Sequence, residues 1–302
     1  MASTVNNPPS VPRLSASVIV VNARNEILLV HRNPKAGAFA GMHVFPGGNF
    51  DKRQDASLNM TAIRETFEEA GLLLASPRSG NSPSDAVLDA ARERVHSQRQ
   101  LFQDFLSDNN MVADISALLP FTQWITPPNV PRRFDTQFYV TFLETTLAPG
   151  FSSGTKLERL PTPDGGQEVV AARFVHPAAA LRECELHKIS LMPPQFYLVT
   201  TLAALLQGDK NTSEQRKKIA TLSSGAFGRM TINPRPLRQG VPEGWSILTY
   251  EGDEARGGKK GRLHRSLVKF APGNTVTDVV LQRNFDIFTE AEELVADRNA
   301  KL

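Results

Sequence analysis

The sequence has a single cysteine, Cys184, among 302 residues. A lone thiol closes no intramolecular disulfide and supplies no Cys-rich zinc site. Charge of one sign is scarce too: 34 Lys and Arg stand against 31 Asp and Glu, a net charge of +3. So small an excess gives no reason to expect a nucleic-acid or membrane partner. No apolar run approaches the ~18–20 residues that a bilayer-spanning helix needs. The opening MASTVNNPPSVPR lacks an apolar h-region, so a secretory signal is not expected. No internal repeat is visible. What is present, 40% hydrophobic and 22% charged residues, is the composition of a soluble globular protein. The length allows a full core in one large or two small domains.

One stretch organises the rest: FPGGNFDKRQDASLNMTAIRETFEEAGL, residues 45–72. Its second half is expected to be a helix, with Asp55 or Ser57 as the cap and Gly71 at the stop. At about 100° per residue, Glu65, Glu68 and Glu69 share one side. Met60, Ile63, Phe67 and Ala70 share the other. Arg64 precedes Glu68 by one helical turn, within reach of a salt bridge that would orient that carboxylate. Three clustered carboxylates repel one another. Hard oxygen donors at this density suit Mg²⁺ or Mn²⁺, and the glycines at 47 and 48 let backbone carbonyls approach the same ion. The plainer alternative for an E-x-x-E-E string is a solvated acidic helix face.

The string resembles the Nudix box, G-x5-E-x7-R-E-U-x-E-E-x-G-U, where U is bulky and apolar. Arg64 to Leu72 fits its second half, with Thr66 in place of one U. In the first half Phe50 falls at the first Gly and Ala56 at the isolated Glu. Gly48 therefore comes two residues early, and Asp55 or Asp51 is the candidate substitute for the missing Glu. The resemblance implies an α/β fold, a Nudix α/β/α sandwich with a mixed sheet, whose box holds a divalent ion through Glu65, Glu68, Glu69 and the Gly48 carbonyl, with Arg64 orienting the carboxylates.

Around the box, residues 1–13 read as a disordered tail and 14–206 as the Nudix domain. Ser15–Val21 and Glu26–His31 form an expected hairpin. A helical insertion is expected over about 85–108, with Arg92, Arg94, His96 and Arg99 solvated. Strands are expected at Phe134–Phe142 and Glu168–Val175, and a helix after the Pro193-Pro194 entry. Residues 207–225 are polar and read as a linker. Residues 226–302 read as a β-rich extension packed on the main domain.

Within the family, three features resemble the branch that acts on coenzyme A and its acyl esters. LLVHRNPKAGAFAGMHVFPGG (28–48) matches the signature L-L-T-x-R-[SA]-x3-R-x3-G-x3-F-P-G-G at Leu28, Leu29, Arg32, Gly41 and Phe45–Gly48. It differs at Val30, Asn33 and Gly37. Trp124–Tyr139 and Pro193–Tyr197 look like the mammalian peroxisomal acyl-CoA-diphosphatase subgroup. The terminal Ala300-Lys301-Leu302 resembles the Ser-Lys-Leu type of address, implying a peroxisomal location through an import receptor, with the cytoplasm as alternative.

The resemblance implies hydrolysis of a CoA pyrophosphate. The catalytic set is then Glu69, Glu68 and Arg64, with a base outside the box: Glu168 first, Asp164 second, Glu144 third. Arg32, Lys35, Arg133 and Asp135 are the candidate substrate contacts, with Arg132 beside them, since the 3′-phosphate of CoA calls for a basic partner. The run Lys259–Arg265 reads as a solvated hairpin. Rival readings are hydrolysis of another dinucleotide, NADH or ADP-ribose, and an idle Nudix fold used for ligand sensing. The missing four-Cys zinc module argues against the NADH subgroup.

Overall fold

A computed structural model describes residues 10–35, 37, 39–79, 82–128, 130–143, 164, 168–271 and 275–294. Strand β1 (Arg13–Val21) is the central element. From Ser15 to Val21 every side chain is buried, which requires cover on both faces of the sheet. β1 meets β2 (Ile27–Arg32) in an antiparallel hairpin that shares only the pair Val21↔Ile27 before the strands diverge. The chain fills the wedge between them. β3 (His43–Val44) pairs with β2, and β4 (Gly47–Asn49) pairs with β1 at Ser15–Ser17. The turn from β3 to β4 therefore sits where Arg32 leaves β2.

Helix α1 (Leu58–Ala70) packs on β1 and β4. The Ser57 hydroxyl caps it by accepting from Met60 N–H, and Gly71 ends it at φ 68°, a left-handed conformation suited to glycine. Next come β5 (Ala75–Pro77), α2 (Asp85–His96), α3 (Phe102–Asp108) and β6 (Met111–Ala113), with β5 and β6 forming a small ribbon. The insertion is thus two helices rather than one. The chain breaks at residues 97–101, where Gln98 adopts φ 56°. Folding back lets Phe102 and Phe105 close on Phe67 of α1, with Phe105 stacked at 5.4 Å. The Gln54 side chain holds the bend by accepting from Phe102 N–H.

β7 (Leu119–Ile125) and β8 (Phe134–Phe142) are antiparallel, and β8 runs parallel to β1 from Arg13↔Phe134 to Val21↔Phe142. β9 (Val169–Val175) covers the other edge of β2. The result is a mixed sheet ordered β10-β7-β8-β1-β2-β3, in which β10 is Thr231–Ile232. Helices α4 (Pro177–Glu185) and α5 (Pro193–Leu205) follow β9, and both begin with proline, whose fixed φ and missing N–H suit a first turn.

Residues 213–224, expected as linker, form helix α6 (Ser213–Ser224), followed by α7 (Ala226–Arg229). Their polarity conceals a real helix start: Thr212 and Gln215 make a reciprocal capping box, and Ile219 and Leu222 are buried. The expected N-terminal tail is also shorter than 1–13. Ser10 donates to the Pro131 carbonyl and Arg13 opens β1, while residues 1–9 lie outside the described residues.

The C-terminal part is an antiparallel sheet of β11 (Arg235–Pro236), β12 (Ser246–Thr249), β13 (His264–Phe270) and β14 (Val276–Arg283). An aromatic cluster joins it to the rest. Trp124 of β7 packs edge-on against Tyr197 of α5 at 5.4 Å and Tyr250 at 5.2 Å. Buried His264 sits at the seam. Its Nδ1 is 2.7 Å from the Glu251 carbonyl, which only accepts, so Nδ1 carries the proton and Nε2 accepts from the Tyr197 hydroxyl at 3.0 Å. Burial drives the imidazole down to about 3 from an ordinary value of 6.5. The unfolded chain therefore takes up this proton first. The corresponding stability is present above pH 6.5 and is lost as pH falls towards 3. Between pH 7 and 5 this group alone removes about 2 kcal/mol of stability. Urea unfolding at both pH values should show that loss in the wild type and a clearly smaller one in His264→Gln. Equal losses in the two proteins would contradict the buried neutral imidazole.

Candidate active site

The acidic face of α1 is not wet. Arg64 is 3% exposed, Glu68 8% and Glu69 2%. Burying this charge requires partners. Arg64 supplies most of them. Its Nε and Nη2 grip both oxygens of Asp55 at 2.8 Å, while Nη1 donates to Glu65 at 2.8 Å and Glu68 at 2.9 Å. Nη2 also reaches the Asn49 carbonyl of β4 at 3.1 Å. Desolvation works against this guanidinium, but the Asp55 hydrogen bonds and the surrounding carboxylates outweigh it and raise its affinity for the proton. Of the two aspartates named for the missing isolated Glu, Asp55 is the one that touches Arg64. Its second oxygen also accepts from Thr61 Oγ1 at 2.9 Å and Asp51 N–H at 3.0 Å, so it serves as an anchor for Arg64.

Glu69 faces the wedge between β1 and β2. Its Oε2 accepts from Gly47 N–H at 3.0 Å, and its Oε1 pairs with Arg32 Nη1 at 2.7 Å. Arg32 Nη2 reaches Glu168 Oε2 at 3.0 Å, so this one guanidinium links α1 to the start of β9. The Asp164 carboxylate accepts from the N–H groups of Glu168 and Val169 and fixes that start. Gly48 lies directly against Glu65: a Cβ there would fall 2.4 Å from the Glu65 carboxyl carbon, so a larger residue would displace that carboxylate. Burial pushes Glu65 up to about 7, with Arg64 opposing and the Glu68 and Glu168 charges adding. Burial likewise pushes Glu69 up to about 8, opposed by Arg32 and reinforced by Glu65 and Glu168.

Among the described residues no three His, Cys, Asp or Glu side chains converge as a ready-made ligand set. Arg32 and Arg64 take up the carboxylate oxygens instead. The donor chemistry nevertheless fits a hard divalent cation. Glu65, Glu69 and Glu168 are oxygen donors whose charges repel one another, and a cation among them would relieve that repulsion.

Arg32, expected on substrate, is the Glu69–Glu168 link. Lys35 is exposed in the loop after β2. Asp135 accepts from Gln123 Nε2 at 2.6 Å and is not brought to the carboxylates. Arg133 donates to the Thr126 and Ser10 carbonyls, and Arg132 to the Gly37 carbonyl. Glu144 lies outside the described residues. Two residues expected to be solvated line the site from behind. Buried Arg92 donates to the Glu68 carbonyl at 2.8 Å, and His96 stands 3.5 Å from the Glu68 carboxylate. A cation on the last carbonyls of a helix follows from its dipole, but only the fold-back of α2 brings Arg92 there.

A family model described as the NUDT19 Nudix domain matches residues 52–202, half of the chain. The chain belongs to the NUDT19 Nudix domain family. The matched segment contains α1 and its three glutamates, and β9 with Arg173 through to the first turns of α5. Among curated relatives, an acyl-coenzyme A diphosphatase NUDT19 of Gallus gallus is 34% identical over 162 residues, covering 47% of this chain and 39% of that protein. The protein of the same name from Xenopus laevis is 25% identical over 238 residues, covering 59% of each. This chain thus spans well under two thirds of the length of the NUDT19 relatives it matches. A Nudix hydrolase from Alicyclobacillus acidocaldarius is a solved structural neighbour at 22% identity, with a TM-score of 0.49 over 65% of this chain and 92% of that one.

Proposed function

We propose that this NUDT19-family protein hydrolyses the pyrophosphate bond of coenzyme A or an acyl-CoA, releasing 3′,5′-ADP and 4′-phosphopantetheine or its acyl form. The observation that carries the proposal is the pairing of a NUDT19-type box with a second carboxylate, Glu168, linked to Glu69 through Arg32. The relatives named as acyl-coenzyme A diphosphatases give the substrate class.

Glu65, Glu68 and Glu69, with the Gly48 carbonyl, would hold Mg²⁺ or Mn²⁺. When bound, the ion neutralises pyrophosphate oxygens and lowers the pKa of water. The chain's own contribution is positional. Arg64, fixed by Asp55, sets the rotamers of Glu65 and Glu68. Arg32 fixes Glu69 and Glu168 relative to one another. Glu168 gives Oε2 to Arg32, and its Oε1 is available to take the proton of the attacking water as the P–O bond to the leaving phosphate breaks. Lys35, Arg133 and Asp135 remain the proposed substrate contacts, with Lys35 and Arg133 answering the phosphate charge.

The test is product analysis after incubation with CoA and Mg²⁺ or Mn²⁺. Wild-type protein should release 3′,5′-ADP, and Glu69→Gln should lose at least about 100-fold in rate, the scale of removing an essential group. Turnover of ADP-ribose or NADH well above that of CoA would overturn the substrate assignment. Absence of turnover on all three would leave a ligand-binding Nudix fold.

We further propose that Ala300-Lys301-Leu302, which lie outside the described residues, direct the protein to the peroxisome through an import receptor. Deleting the tripeptide should move a tagged protein to the cytosol, and unchanged localisation would contradict the address.

A further inference from the structure

The turn from β1 to β2 stands at the far end of both strands from Arg32 and Glu69, and it is fastened to the connection between α5 and α6. Asn25 does the fastening. It is fully buried and adopts φ 60°, a left-handed conformation that asparagine tolerates better than most residues. Its amide nitrogen lies 3.0–3.1 Å from the carbonyls of Gln207, Gly208 and Lys210, and its amide oxygen accepts from Asn211 Nδ2 at 2.9 Å. Asn211 N–H donates to the Ala23 carbonyl at 2.8 Å. The two loops are thereby fixed against each other.

Between them is a cavity of about 330 Å³, lined by Ala23, Arg24, Asp209, Lys210, Asn211 and Arg216. That volume is within the range of small-molecule sites. Three of the lining residues are cationic and one is acidic. Glu26 holds Arg24 through Nε at 3.0 Å and Nη2 at 2.9 Å, and Arg24 Nη1 makes no hydrogen bond among the described residues. Arg216 reaches the cavity from α6 and is held by two contacts. Its Nε donates to Asn211 Oδ1, and its guanidinium lies over the Phe142 ring at 5.0 Å. Neither contact cancels its charge, and no carboxylate pairs with it among the described residues. The Lys210 side chain has no partner among them. Like charges gathered round one cavity repel one another, and a doubly charged anion between them relieves that repulsion. Asp209 would repel the same anion, so the group that faces it must donate a hydrogen bond, as a hydroxyl does.

We propose that this cavity binds a small phosphate monoester, its phosphate held by Arg24, Lys210 and Arg216 and its hydroxyl-bearing part facing Asp209. Guanidinium groups meet phosphate with paired N–H···O bonds, and the lysine ammonium adds a point charge. The cavity is larger than a bare phosphate fills, which leaves room for the organic part of the ester. The site is separate from the carboxylate cluster and does not depend on the reaction carried out there.

The experiment is calorimetric titration of the full chain, treated with chelator, with inorganic phosphate and with ribose 5-phosphate. The wild type should bind both, the ester more tightly. The Lys210 side chain holds nothing else in place, so Lys210→Gln leaves the fold intact and should weaken both ligands about tenfold, as should Arg216→Gln. Lys260→Gln, at an exposed lysine ahead of β13, should change neither. Asp209→Ala should leave inorganic phosphate bound and remove the preference for the ester. Failure of the wild type to bind either ligand, or an equal loss in Lys210→Gln and Lys260→Gln, would overturn the site. Equal affinity of the wild type for the two ligands would overturn the ester assignment.

Discussion

The buried Arg64 guanidinium is the constraint on which the site depends. A helix that shows Glu65, Glu68 and Glu69 on one side would normally leave that side in water. Here the side is covered by β4, by the β1–β2 wedge and by α2. The cover is tolerable because Arg64 gives its donors to Asp55, Glu65, Glu68 and the Asn49 carbonyl. Taking one member out of such a buried network costs about 3–5 kcal/mol, since the remaining charges are left unpaired. Two guanidinium groups, Arg64 and Arg32, face five carboxylates, so the cluster keeps an excess of negative charge. Burial is the main cause of the raised proton affinity of Glu65 and Glu69, and the neighbouring carboxylates add to it. The excess is the charge that a divalent cation would answer.

The same logic explains why Gly47 and Gly48 precede the helix at a distance in sequence but touch it in space. Gly47 donates its N–H to Glu69, and Gly48 leaves room for Glu65 where any Cβ would collide. The insertion between Gly48 and Arg64 lengthens the connection, and the chain uses it to present Asp55 from below the helix start. Asp55 is shorter than a glutamate, and it meets Arg64 with both oxygens because Thr61 and the Asp51 backbone hold it still. This part of the cluster is therefore held by hydrogen bonds within a single short stretch, residues 49–68.

Much of this was legible in the sequence. The helix, its cap region and its apolar face followed from periodicity, and Met60, Ile63, Phe67 and Ala70 are all buried as that reading required. Strand β8 and the proline entry to α5 followed from composition. Other features were not legible, for specific physical reasons. Arg32 reads as a free cation in one dimension, and its partners lie 37 and 136 residues away. Arg92 reads as a surface residue of a long helix, and becomes buried only because the helix breaks and folds back onto Phe67. Helix α6 hid behind its own polarity, since only Ile219 and Leu222 with buried Ser223 face the core. The C-terminal strands were visible. The Trp124–Tyr197–Tyr250–His264 seam that joins them to the half carrying the carboxylate cluster was not, because it draws on four separate segments.

The most direct test of the Arg64 account measures metal binding without catalysis. Mn²⁺ titration followed by electron paramagnetic resonance would compare the wild type with Asp55→Asn, each checked for retained fold by circular dichroism. Asp55 is not expected to ligate the ion, so it acts only through Arg64. Asp55→Asn should stay folded at low temperature and bind Mn²⁺ at least about tenfold more weakly, because Arg64, which sets the positions of Glu65 and Glu68, loses its anchor. Undiminished Mn²⁺ affinity in a folded Asp55→Asn protein would contradict that role of Arg64.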